Sequence, residues 1–167
     1  MTTKEIYLCS DHHIGQESIL KFKDDYGNKL RPYTSLTEMH VNIIENHNSV
    51  VKPIDKVYFL GDVIFHKKYE HILSLLNGEK RLIHGNHDTL GINFYSKYFK
   101  EIYGARYIGE YKAILTHIPI HPNSIKEGWV NVHGHTHSRI INDPRYKCVC
   151  LEQINYTPIH IEELLSK

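Results

Sequence analysis

An α/β fold follows from three features of this sequence. Short apolar runs of strand length alternate with stretches of helical periodicity. Most of these apolar runs stop at a polar turn. Within two residues of the stop comes an Asp, Asn or His, the pattern that singles out Asp11, Asp62, Asn86, His117 and His135. In open α/β sheets the crevice at the carboxyl ends of the strands is where ligands bind, so these five segments are expected to meet on one rim.

The elements read in order as follows. Glu5–Cys9 is a first buried strand, ending in Ser10-Asp11-His12-His13. Ile14–Tyr33 has no clear periodicity, turns at Gly27-Asn28, and is expected to be a loop beside the rim. Ser35-Leu36-Thr37-Glu38 matches the capping-box signature. Met39, Ile43, His47 and Val50 follow at helical spacing, which places a helix over Leu36–Val51 with Pro53 beyond it. Lys56–Leu60 is a second strand, stopped by Gly61-Asp62, and Tyr69–Leu76 a short helix ending before Gly78. Arg81–Ile83 is a third strand, running into His84-Gly85-Asn86-His87-Asp88, and Phe94–Phe99 gives one or two helical turns. Glu101–Tyr103, Arg106–Ile108 and Lys112–Leu115 are strand-like, the last ending at Thr116-His117. Trp129–Val132 leads into His133-Gly134-His135-Thr136-His137. Tyr146–Glu152 reads as another strand, and Ile159–Leu165 as a closing strand or a helix end. With no repeat and no low-complexity linker, residues 1–167 read as a single domain.

Composition narrows the setting. A chain of 167 residues buries enough surface to fold without disulfides. Lysine and arginine total 20 against 19 aspartates and glutamates, a balance that argues against gripping long nucleic acid by charge alone. Cys9, Cys148 and Cys150 form neither a disulfide framework nor a CxxC site and read as reduced core residues. Thr2–Ile6 leads straight into a strand, so no leader is expected, and no apolar run nears the roughly 18 residues that span a bilayer. The expected setting is cytoplasmic, with no membrane association and no protein partner. Fourteen histidines stand out, because imidazole is the commonest metal ligand. They fall in packets at His12–His13, His84–His87, His117–His121 and His133–His137.

Taken singly these motifs are weak. Asp11-x-His13 serves equally as a solvated turn, and His133-x-His135-x-His137 as a polar edge. Their order is stronger evidence: Asp-x-His, Gly-Asp, Gly-Asn-His-Asp, a lone His, then Gly-His-x-His. This ordered set, spread over nearly the whole chain, resembles the calcineurin-like metallophosphoesterase superfamily. Arg31-Pro32-Tyr33, the Glu45–Asn48 helix end and Asp143-Pro144-Arg145-Tyr146 resemble its small, single-domain bacterial and phage branch.

The resemblance implies a four-layer αββα sandwich, with two mixed β-sheets flanked by helices and no separate cap domain. It implies two divalent metal ions. Asp11, His13 and His137 would bind the first, Asn86, His117 and His135 the second, and Asp62 would bridge them. A nitrogen and oxygen donor set without thiolate leaves the metal open: manganese is the first expectation, with iron, zinc, nickel and magnesium admitted. Two ions about 3.5–4 Å apart clamp the attacking and leaving oxygens of an in-line displacement, with hydroxide on the metals as nucleophile. His87 matches the position of a general acid, and Asp88 either orients it or ties down the turn.

Other residues carry two readings each. Arg31 and Arg139 are candidates for phosphate contact, since guanidinium matches phosphate oxygens bidentately, or else surface ion pairs. His66 follows Asp62 by four residues and is a candidate to overhang the site, while alternation turns His12 away from it. His84 and His133 are expected to pack within their strands. Phe22, Tyr26 and Tyr33 either stack on a base or pin the loop. Few residues remain for a cap, so the expected site is shallow and suits a nucleotide, a short oligonucleotide or another small phosphoester; monoester and diester stay open. The reading from a different class is a binding or scaffold module on the same fold without turnover. The complete ligand set and His87 favour the enzyme.

Overall fold

The structure, a computed structural model, describes residues 4–167; the reading of Thr2 and Thr3 lies outside the described residues. Its first sheet contains β1 (Ile6–Cys9), β2 (Lys56–Phe59), β3 (Glu79–Ile83), β4 (Glu101–Tyr103) and β9 (Ile159–His160). The strand order is β4-β3-β2-β1-β9, parallel except for the antiparallel β1–β9 pair. A second sheet has the order β5-β6-β7-β8, from β5 (Ala105–Ile108), β6 (Ala113–Thr116), β7 (Val130–His133) and β8 (Tyr146–Cys148). Only its β5–β6 pair is antiparallel. Helices α1 (Leu36–Val50), α2 (His71–Leu75), α3 (Ile92–Tyr95) and α4 (Ile161–Ser166) flank the sheets. The expected architecture of two mixed sheets with flanking helices is what the chain adopts.

Parallel registry is what positions the site. Cys9 pairs with Phe59, and Phe59 with Leu82, so the residues after β1, β2 and β3 emerge on one edge. Leu115 pairs with Val132 and Val132 with Lys147, which does the same for the second sheet. A bridge from Ser10 to Cys150 joins the two edges. Leu8, Phe59, Leu82, Leu115 and Val132, all fully buried, lie in one apolar core to which both sheets contribute. Helix α1 starts as its signature expects: the Ser35 hydroxyl accepts the Glu38 amide at 3.1 Å, while the Glu38 carboxylate accepts the Thr34 amide at 2.7 Å. It buries Met39, His40, Ile43 and His47.

Three local expectations need correction, and the expected 14–33 loop gains detail. The 14–33 loop holds a 3-10 turn at Glu17–Lys21 and a short hairpin closed by a Lys23–Lys29 bridge. In that hairpin Gly27 takes φ +87°, and the Asp24 carboxylate accepts the Tyr26 and Asn28 amides. The Tyr69–Leu76 helix splits into a 3-10 turn, Lys67–Tyr69, and the shorter α2. The strand expected over Tyr146–Glu152 stops at Cys148. Beyond it Val149 donates to His133 O and Leu151 to Ser10 O, drawing the chain across to the first sheet and into a 3-10 turn, Leu151–Gln153. His84 is exposed rather than packed in its strand, whereas His133 is buried.

Candidate metal centre

The rim forms because loops from different strands hydrogen-bond along one another. Asp11 N donates to Gly61 O, His13 N to Asp62 O and Ile14 N to Val63 O, at 2.9–3.0 Å. Gly134 N donates to His117 O at 2.9 Å in the same way. Asp11, His13, Asp62, His135 and His137 all have φ between +50° and +69°. Left-handed backbone costs a non-glycine residue on the order of 1 kcal/mol, and it clusters where a site needs it. Close approach adds a second constraint. A Cβ on Gly85 would strike the Asp62 carboxylate, and one on Gly134 would strike the Ser10 hydroxyl and the Asp11 carboxylate.

Two donor groups result. Asp11, His13 and His137 offer ligand atoms all within 4.8 Å of one another, and so do Asp62, His117 and His135. Asp62 Oδ2 lies 3.4 Å from His117 Nε2 and 3.9 Å from His13 Nε2, between the two groups. Asn86 Oδ1 lies 2.9 Å from His117 Nε2, which adds an amide oxygen to the second group. The residues fit divalent cations. Asp11 Oδ1 and His13 Nε2 are 3.5 Å apart and buried, and neither has a hydrogen-bond partner. Orphan polar atoms of this kind are costly unless something satisfies them, and an ion between them would.

Outer partners aim the donors. His117 Nδ1 donates to Leu60 O at 2.6 Å, His13 Nδ1 to Gln16 Oε1 at 2.6 Å and His137 Nδ1 to Glu152 Oε1 at 2.9 Å. Each aims Nε2 toward the site. Asp11 Oδ2 accepts from Ser10 Oγ at 2.5 Å, from the His135 amide at 2.8 Å and from Cys150 Sγ at 3.2 Å, which frees Oδ1. The buried Asp88 carboxylate accepts the amides of Asp62, Val63 and Gly85 at 2.8–2.9 Å, so it ties two turns together.

Charge at the rim is strongly coupled. Burial would raise the Asp11 carboxyl, but the His13 ring, with His117 and His137 around it, outweighs burial and holds it well below the usual range. Burial would lower His117, yet Asp62 and Asp11 push it up to about 9. Burial pushes His135 down and Asp88 up. The carboxylates thus hold positive charge firmly where the imidazoles converge.

The remaining candidates divide. His87 is exposed, its amide donates to Asp62 Oδ1 at 2.8 Å, and its ring packs 5.1 Å from Phe65. Phe65 also packs 5.2 Å from His13 and so braces two rings of the site, a role that sequence reading missed. His66, one residue on, is exposed at the head of a 3-10 turn. His12 is buried against Phe59, behind the rim. Arg31 overturns the expectation of phosphate contact: it is 0% exposed, pairs with Glu152 and donates to the Asp11 carbonyl, so its guanidinium lies beneath the site. Arg139 realises the ion-pair alternative, with Nε and Nη2 on the Asp25 carboxylate at 3.1 and 2.9 Å. Glu152 was also missed, having been placed inside a strand; sequence carries no local sign of a contact between positions 31 and 152.

A fold of two mixed sheets whose joined edges hold paired Asp, Asn and His donors is that of the metallophosphoesterases. Residues 4–167 match the calcineurin-like phosphoesterase family, and the chain belongs to it. It is 36% identical to an uncharacterised protein, MJ1445, of Methanocaldococcus jannaschii, over 99% of this chain and 92% of that one. In structure it is similar to AQ665 of Aquifex aeolicus, a protein of unknown function, with a TM-score of 0.74, 27% identity, and 97% and 98% of the two chains covered. An archaeal phosphodiesterase shares the fold at a TM-score of 0.50 and 19% identity, over 87% of this chain and 82% of the other. Among the described residues no helix is long and apolar enough to cross a membrane.

Proposed function

We propose that this chain is a single-domain, dinuclear-metal phosphoesterase that hydrolyses a mono- or diester of a nucleotide or other small molecule. The observation that carries this reading is the position of Asp62 Oδ2, within 3.9 Å of imidazoles from both donor groups. A carboxylate shared in this way offsets repulsion between two cations and keeps them together. When bound, divalent cations supply Lewis acidity: they make water acidic and offset charge on phosphoryl oxygens. The nitrogen and oxygen donor set admits several divalent ions, and manganese is the one the family resemblance suggests first.

The chain's own side chains do the rest. Asp11, His13 and His137 would hold one ion and Asn86, His117 and His135 the other, with Asp62 shared between them. His87, exposed and braced by Phe65, gives a proton to the departing oxygen. Substrate lies in a groove beside His135 and His137, walled by Asp24, Asp25 and Arg139. A neighbouring hollow that shares Asp24, Asp25 and Arg139 with this groove is lined also by Tyr26 and Ile140, 91% and 81% exposed and suited to a nucleobase.

The test is hydrolysis of mono- and bis-nitrophenyl phosphate with added Mn²⁺, comparing wild type, Asp62→Asn and His87→Asn. The expected result is metal-dependent turnover, abolished in Asp62→Asn and lowered roughly 10²–10⁴-fold in His87→Asn. Metal uptake without turnover of any ester would favour the scaffold module instead.

A further inference from the structure

We propose that Arg31 and Glu152 are a buried positioning pair that builds the Asp11–His13–His137 cation site and makes it the tighter of the two, so that the first ion loads there. The inference rests on the dinuclear reading and extends it, by ranking the sites and naming residues that rank them.

Four separate segments meet at this pair. Arg31 Nη2 donates to the Asp11 carbonyl, and Arg31 Nε lies 3.0 Å from Glu152 Oε1. The same Oε1 accepts His137 Nδ1 at 2.9 Å. One guanidinium thereby fixes the main chain of one donor and, through a carboxylate, the ring of another. Its far face lies against Tyr156, 5.6 Å from the ring centroid, and the Tyr156 hydroxyl donates to Leu30 O, closing the Arg31 segment over the pair. A buried carboxylate needs such a cation, and each member would be costly alone. His13, the third donor, is aimed by Gln16.

The second group is held differently. His117 is aimed by a backbone carbonyl, Leu60 O, and among the described residues no hydrogen bond holds the ring of His135, which is exposed. The orphan buried donor atoms, Asp11 Oδ1 and His13 Nε2, both belong to the first group; among the described residues none belongs to the second. A carboxylate behind a ligating imidazole raises its basicity and fixes its direction, and losing such a partner lowers metal affinity about 10–100-fold.

Mn²⁺ titration by calorimetry on metal-stripped protein tests the pair, comparing wild type, Glu152→Gln and the charge-neutral double variant Arg31→Met with Glu152→Gln. Wild type is expected to take up two ions in two steps. In Glu152→Gln the tighter constant falls about 10–100-fold and the weaker one is unchanged. Should the unpaired Arg31 destabilise the single variant, the double variant restores the melting temperature of the metal-free protein but not the tight step. A purely structural pair would shift that temperature and leave the ratio of the two constants alone. Wild-type constants in both variants, or an equal loss at both steps, would overturn the proposal. A wild-type chain that takes up no Mn²⁺ would overturn the dinuclear reading and this inference with it.

Discussion

The two sheets contribute unlike things to the rim. The β1–β3 side delivers every oxygen donor, Asp11, Asp62 and Asn86, with one imidazole, His13; the β6–β7 side delivers only imidazoles, His117, His135 and His137. Neither sheet holds a complete donor group. The first group takes Asp11 and His13 from one side and His137 from the other; the second takes Asp62 and Asn86 from one and His117 and His135 from the other. Cation binding is therefore coupled to docking of the sheets, and the contacts that dock them are also those that shape the donors.

The strongest way to break this relation is to push the sheets apart where they touch. Gly134→Ala sets a Cβ against Ser10 and Asp11 across the interface. The expected loss, read by urea denaturation, is about 2–3 kcal/mol, with Mn²⁺ uptake falling at both sites. A variant as stable and as metal-competent as wild type would show that the close approach is dispensable.

A pH-dependent effect of similar size arises on the helix side. His40 and His47 on α1 pack beneath the first sheet, and burial pushes both down to about 4. His40 Nε2 accepts the Gly15 amide at 3.1 Å and so must be unprotonated there. Between about 4 and 6.5 the unfolded chain binds protons that the folded one refuses. Stability contributed by the neutral rings is thus complete above about 6.5 and is lost as pH falls toward 4, by on the order of 2–3 kcal/mol per histidine. His47→Gln should flatten the unfolding free energy against pH across that window; an unchanged slope would refute the assignment.

The smallest effect belongs to the surface. Arg139→Ala removes an exposed clasp between the 23–29 hairpin and the loop after His137. The melting temperature should not move, since exposed pairs add little, while KM for a nucleotide ester rises a few-fold and kcat holds. A fall in kcat with KM constant would place Arg139 elsewhere in the reaction.

What sequence made legible was local. Each donor follows a strand within a few residues, so Gly61-Asp62, Gly85-Asn86 and Gly134-His135 were readable as turns at strand ends, and the parallel register then aligns them. The α1 cap was readable for the same reason, as Ser35 and Glu38 lie three residues apart. Contacts between distant positions were not. Arg31 looked like a surface group because arginine usually is one, and its pairing with Glu152 and its bond to the Asp11 carbonyl permit complete burial. Tyr146–Glu152 looked like one strand because its apolar alternation continues past Cys148, although a hydrogen bond from Leu151 to Ser10 turns the chain away. Phe65 gave no signal, since an aromatic next to a polar turn fits many roles.

Anomalous scattering from crystals grown with Mn²⁺ reads out whether donors from both sheets share a pair of cations. Two peaks about 3.5–4 Å apart, with the Asp62 carboxylate between them, are expected. A single peak, or peaks away from Asp62, would contradict that sharing.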